Sequence, residues 1–166
     1  MAEQTPIERL QPCLLDRLAD DEPDKKEESR YQRMISHKKY LEGVRRDLEW
    51  LFNTEAYLTA EGLEPFRLKD YPQAFCSVIN YGTRQLSGLV TPDLGSLQEE
   101  LSEAVRMFEP RLAARSLTIS ADIEGNVVTF DIEGEVWANP LPEHLHLKTK
   151  VDLETGECLL GDAPHG

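Results

Sequence analysis

The chain has no apolar run near the roughly 18 residues that a membrane-spanning helix needs. Its first residues, Met1-Ala2-Glu3-Gln4-Thr5, lack the basic and apolar regions of a secretory leader. Cysteine is scarce: Cys13, Cys76 and Cys158 are odd in number, widely spaced and not arranged as CxxC. That excludes a disulfide framework and suits a reduced, cytoplasmic protein. Positive charge is also short. There are 18 Lys and Arg against 31 Asp and Glu, a formal net charge of −13. A nucleic-acid binder needs a basic face for phosphates, and an anionic membrane repels an acidic chain, so neither partner is expected. A protein partner with basic patches is compatible with this balance.

Recognisable catalytic constellations are missing too. The chain has neither GxGxxG nor GxxxxGK[ST], the glycine loops that cradle phosphates, and no GxSxG elbow. Of the four histidines only His144 and His146 are close. Two residues apart on a strand they share a face, but two ligands do not close a zinc site. Paired carboxylates are the remaining route to chemistry. A glycosidase needs one carboxyl kept protonated in an apolar pocket and a second at a set distance. Glu109 follows Phe108 but stands beside Arg111, and a nearby guanidinium favours the ionised form, which is wrong for a general acid. The sequence therefore predicts a non-enzyme with no cofactor, no metal and no small-molecule substrate.

Hydrophobic residues make up 40% of the 166 positions, enough for one domain with a core. Residues 6–18 carry Ile7, Leu10, Leu14, Leu15 and Leu18 at helical spacing, interrupted by Pro12, which reads as two short turns. The charged stretch 20–28 follows as a linker. The N-terminal piece, 1–28, is then a tethered helical segment that either folds back on the body or lays Leu14 and Leu15 into a partner's groove. The main domain is expected over 29–166. Its longest helix is predicted over 29–52, with Met34, Leu41, Val44, Leu48, Leu51 and Phe52 on one face. Tyr71-Pro72 opens a short helical segment that ends in a turn at Asn80-Tyr81-Gly82, and a loop follows with Gly88, Pro92 and Gly95. Ser96-Leu97-Gln98-Glu99 reads as a capping box that starts a helix over 97–108, with Leu97, Leu101, Val105 and Phe108 as its buried stripe.

The C-terminal third alternates with a period of two. Strands are predicted around 117–121, 128–136, 145–153 and 158–160, with a tight hairpin at Glu124-Gly125-Asn126. One wet face carries Asp131, Glu133 and Glu135, and the next His146, Lys148 and Lys150. Antiparallel pairing is expected to set Glu135 by His146, Glu133 by Lys148 and Asp131 by Lys150. The fold class is thus α+β: a small, mostly antiparallel sheet of about four strands packed against two or three helices, with a tethered N-terminal helical segment.

Between the helix and the strands lies Phe108-Glu109-Pro110-Arg111-Leu112. Proline cannot continue a helix, so Glu109 and Arg111 flank a forced stop with opposite charges. The pair faces either a partner or its own fold. With Arg9 to Leu18, Val44 to Thr54 and Tyr71 to Gly82, this corner forms four segments whose order resembles the type VI secretion system baseplate wedge family TssE, itself similar to the small wedge protein of contractile phage tails. Two positions depart from the family's pattern: Cys13 stands where serine is expected, and Glu55 where a basic residue is expected. The resemblance implies a structural subunit of a membrane-docked assembly in the bacterial cytoplasm. It implies docking to other wedge proteins and to sheath subunits, and help in starting the contractile sheath. The family's Glu-Pro-Arg contact falls on Glu109, Pro110 and Arg111, with Phe108, Leu112, Leu14 and Leu15 expected beside it at the partner surface. The family is also described as lysozyme-like, which makes a peptidoglycan hydrolase the alternative.

Overall fold

In the computed structural model, residues 10, 13–18, 24, 35–56, 68–83, 93–138 and 142–162 are described. The elements run α1 (Leu14–Leu18), α2 (His37–Phe52), α3 (Pro72–Phe75), α4 (Leu94–Phe108), β1 (Thr118–Glu124), β2 (Val127–Val136), β3 (Glu143–Asp152) and β4 (Cys158–Asp162). Short 3₁₀ turns cover Leu68–Asp70 and Val78–Asn80. All of the linker but Asp24, the boundary near residue 28 and the loop over 84–92 lie outside the described residues, as do Ile7, Pro12, Met34, Gly88 and Pro92.

The four strands form one antiparallel meander in the order β1-β2-β3-β4, as the alternation predicts. Gly125 and Asn126 form the β1–β2 turn, and Gly125 takes φ +63°, the left-handed conformation that such turns favour in glycine. Val128, Phe130, Ile132 and Val136 of β2 and Leu145, Leu147 and Val151 of β3 are buried on one face. α4 packs against β1 and α2 against β4, so the two helices close the core over Val44, Leu48, Leu51, Leu97, Leu101 and Val105.

Three boundaries and one register differ from expectation. α2 is helical from His37, not from 29, within the described residues. Ile35 is drawn into a bridge with Leu10, and the Ser36 hydroxyl accepts from the Lys39 amide as the N-cap. α4 begins at Leu94, so Gly95 is helical and Ser96 is not its cap. Asp93 takes that place, accepting from the Gly95 amide at 3.1 Å and from the Ser96 hydroxyl at 2.8 Å. An aspartate placed three residues earlier competes for the same orphan amides that the apparent capping box would serve. β4 runs on to Asp162. Lastly, β2 and β3 pair as Glu135↔His144, Glu133↔His146 and Asp131↔Lys148. This is two residues from the expected pairing, because β3 starts at Glu143 opposite Val136. A slip of two keeps the same side chains inside, whereas a slip of one would turn the sheet over.

The outer edge of β4 is partly covered by α2. Asn53 behaves like a strand residue turned sideways: its amide donates to the Cys158 carbonyl and its oxygen accepts from the Cys158 amide, both at 3.0 Å. Arg45 donates to the Leu160 carbonyl at 2.6 Å. Burial pushes the Cys158 thiol up to about 12, so it stays protonated and inert at neutral pH.

Candidate functional site: a chain of charges at a proline corner

α4 ends at Phe108, and the Glu109 amide makes the last helical bond, to Val105 O at 2.9 Å. Pro110 then turns the backbone so that 111–113 run beside the end of β2. Trp137 N donates to Arg111 O at 2.7 Å, and Ala113 N to Glu135 O at 2.8 Å. The Leu112 side chain fills the space over Gly134, where a Cβ would stand only 3.2 Å from it. The corner is therefore held at both ends, by a helix and by a strand.

Glu109 faces inward and is only 3% exposed. Its carboxylate grips Arg111 as a fork: Oε1 accepts from Nε at 2.6 Å and Oε2 accepts from Nη2, while Oε1 also takes the Arg111 amide at 3.1 Å. Such bidentate, charge-assisted bonds fix orientation as well as energy. The same Nη2 donates to Asp47 Oδ2 of α2 at 2.6 Å. Asp47 Oδ1 in turn accepts from Arg46, from Nη2 at 2.7 Å and from Nε at 3.0 Å. Arg46 Nη1 reaches Asp16 of α1. Five alternating charges thus run from the corner, across α2, to the N-terminal segment.

The electrostatics follow from these pairings. Burial works against the Arg111 charge, but Glu109 and Asp47 outweigh it and raise its pKa further. Arg46 is likewise raised, chiefly by its bond to Asp16. That bond holds the Asp16 carboxyl below the usual carboxylate range. Tyr40, whose hydroxyl donates to Trp137 O at 2.9 Å, is raised by burial beside the corner.

The seven residues expected at a partner surface divide. Pro110, Leu14 and Leu15 are exposed, and Phe108 and Arg111 are half-buried. Glu109 and Leu112 are buried inside the isolated chain. The sequence leaves open whether the charged pair faces outward or inward; in the fold Glu109 turns in, and the Arg111 side chain is 19% exposed. Asp47, Arg46 and Asp16 were not picked out as site residues. Their signal was an Arg-Asp pair directly beside the buried positions Val44 and Leu48 of α2.

The four sequence segments converge on this corner. The Phe108 ring meets Tyr81 edge to face, with centroids 5.3 Å apart. Next to Tyr81, Gly82 holds φ +124°, and a Cβ there would lie 2.4 Å from Thr54 O. That close approach lets Thr83 and Ala56 exchange backbone bonds with residues 54 and 83. Cys13, at the position where serine is expected, bonds Asp16: its sulfur accepts from the Asp16 amide at 3.5 Å, and its thiol donates to Asp16 Oδ2 at 3.0 Å.

A family model described as baseplate wedge protein gp25 matches residues 38–141. The chain belongs to that family. The match bears out the resemblance to TssE-type baseplate wedge proteins, and the family's description is structural rather than enzymatic. The matched span takes in Asp47, Tyr81 and the whole corner, and it leaves out α1, β3 and β4. No curated protein matches the chain. Among the described residues no helix is long and apolar enough to cross a membrane, and no cluster of three His, Cys, Asp or Glu is placed to hold a metal ion.

Proposed function

We propose that this chain is a structural subunit of a type VI secretion baseplate on the cytoplasmic side of the bacterial envelope. It docks against other wedge proteins at the Glu109-Pro110-Arg111 corner and helps start the contractile sheath. The observation that carries this reading is the corner's internal satisfaction. Glu109 is spent on fixing Arg111, so Pro110 and the part of the Arg111 side chain that remains exposed are held in one geometry before any partner arrives. Preorganisation of that kind lowers the ordering cost of association. A partner carboxylate that reaches the exposed part of Arg111 would add a further charge-assisted bond.

Sheath initiation by strand addition is a natural use of an open sheet edge. At β4 an added strand competes with Asn53 and Arg45, which already hold Cys158 and Leu160. Proline replacement in 157–160 therefore tests that route: sheath growth stops while the body stays folded if β4 is the edge used.

The deciding experiment is tagged purification of the chain from its native cell, with identification of co-purifying proteins and imaging of sheaths in a deletion strain. Recovery of baseplate and sheath proteins, with loss of sheaths on deletion, is the expected result. Normal sheaths in the deletion strain overturn the reading, as does clearing of purified cell walls that a single Glu substitution abolishes.

A further inference from the structure

α1 is amphipathic in the inverse sense. A helix that packs on its own fold turns its apolar side in. In α1, Leu14 is 70% exposed, Leu15 48% and Leu18 73%, whereas Cys13 and Asp16 are the side chains that face α2. The segment is anchored by polar contacts and by the buried Leu10, which bridges to Ile35. Gly43 of α2 lies beneath both groups: a Cβ there would be in ordinary contact, 3.7 Å from Asp16 Oδ2 and 4.0 Å from Arg111 Nη1. Asp16 of α1 therefore sits over α2 next to the Glu109–Arg111 corner. Arg46, which holds Asp16, also stacks 4.9 Å from the ring centre of Trp50, another half-exposed apolar group.

We propose that the corner acts through α1. The chain Glu109–Arg111–Asp47–Arg46–Asp16 is a positioning device that holds α1 with its leucines outward. Leu14, Leu15 and Leu18 then enter an apolar groove of a protein partner rimmed by basic side chains. The charge balance selects that occupant. The whole chain carries a net charge of −13. A second copy and an anionic membrane share that sign and are repelled, while a basic rim is attracted. Short helices read by leucines one turn apart are a recurring mode of groove recognition.

This inference rests on the baseplate reading, and the experiment separates the two. In the full chain, expressed in its native cell, Leu15 is replaced by a photo-crosslinking residue, with the same replacement at exposed Val78 as the control. The expected product joins position 15 to an apolar helical segment of a baseplate protein bordered by Lys or Arg, and Val78 does not yield it. Adding Asp16→Ala should lower that yield about fivefold, the scale of one exposed ion pair, with the purified variant still folded and its melting temperature lowered only slightly. Cross-links to the chain's own body, to a second copy or to lipid overturn the proposal, and so does a yield unchanged by Asp16→Ala. Absence of the product while baseplate proteins still co-purify overturns the role of α1 alone. Failure of those proteins to co-purify removes both readings.

Discussion

The sheet and the corner both carry rows of opposite charges, and they use them differently. On the wet face of β2 and β3, His146 lies 3.4 Å from Asp131 and 3.6 Å from Glu133, and Lys148 lies 3.7 Å from Asp131. These side chains are 38–50% exposed and their contacts long, so each pair is loose and screened. At the corner the carboxylate of Glu109 is buried, the Arg111 guanidinium is nearly so, and their bonds are short and forked. The sheet charges decorate a register that the buried alternation already sets. The corner charges are themselves the geometry: without them nothing apolar dictates where Arg111 points.

Substitutions can break this contrast in order of size. Glu109→Gln leaves Arg111 without its main counter-charge, and breaking a buried pair from one side costs about 3–5 kcal/mol. The melting temperature should fall by on the order of 10 °C for a chain of this length, measured by differential scanning calorimetry. Thr149 supplies the opposite case. It is buried in β3, and its hydroxyl lacks a hydrogen-bond partner among the described residues. Thr149→Val removes that orphan group and should raise stability by about 1 kcal/mol in urea unfolding.

Asp16 contributes less and depends on pH. Its folded pKa is depressed by Arg46, so its stabilisation is fully present above the unfolded value of about 3.9. It is lost as the pH falls through the lowered folded value. NMR shifts of the Leu14–Leu18 amides should therefore hold steady from neutral pH down to about 5 and move together only below about pH 4. The smallest effect belongs to the wet face: Asp131→Asn should change unfolding free energy by less than about 0.5 kcal/mol.

The same contrast explains what could be read in advance. The strands were legible because alternation of Val128, Phe130, Ile132 and of Leu145, Leu147, Val151 leaves one arrangement that buries them all. The corner was legible as a stop because proline forbids a helix at 110. The register of β2 on β3 was not, since charges on an exposed face are satisfied almost equally well two residues away. The start of α4 was missed because Asp93 and Ser96 are both good caps and only tertiary packing ranks them. The inward turn of Glu109 escaped for a related reason. The Arg111 that it grips is held from the other side by Asp47, which lies on α2, far away in sequence, as an ordinary acid on a charged helix.

The central claim is that Glu109, Arg111 and Asp47 act as one connected unit. A double-mutant cycle with Glu109→Gln and Asp47→Asn, followed by urea unfolding, addresses it directly, because the two carboxylates do not bond each other and meet only through Arg111. The account predicts that the two losses fail to add, with a coupling larger than about 0.5 kcal/mol. Losses that add within error would mean that the two carboxylates act independently, and would contradict it.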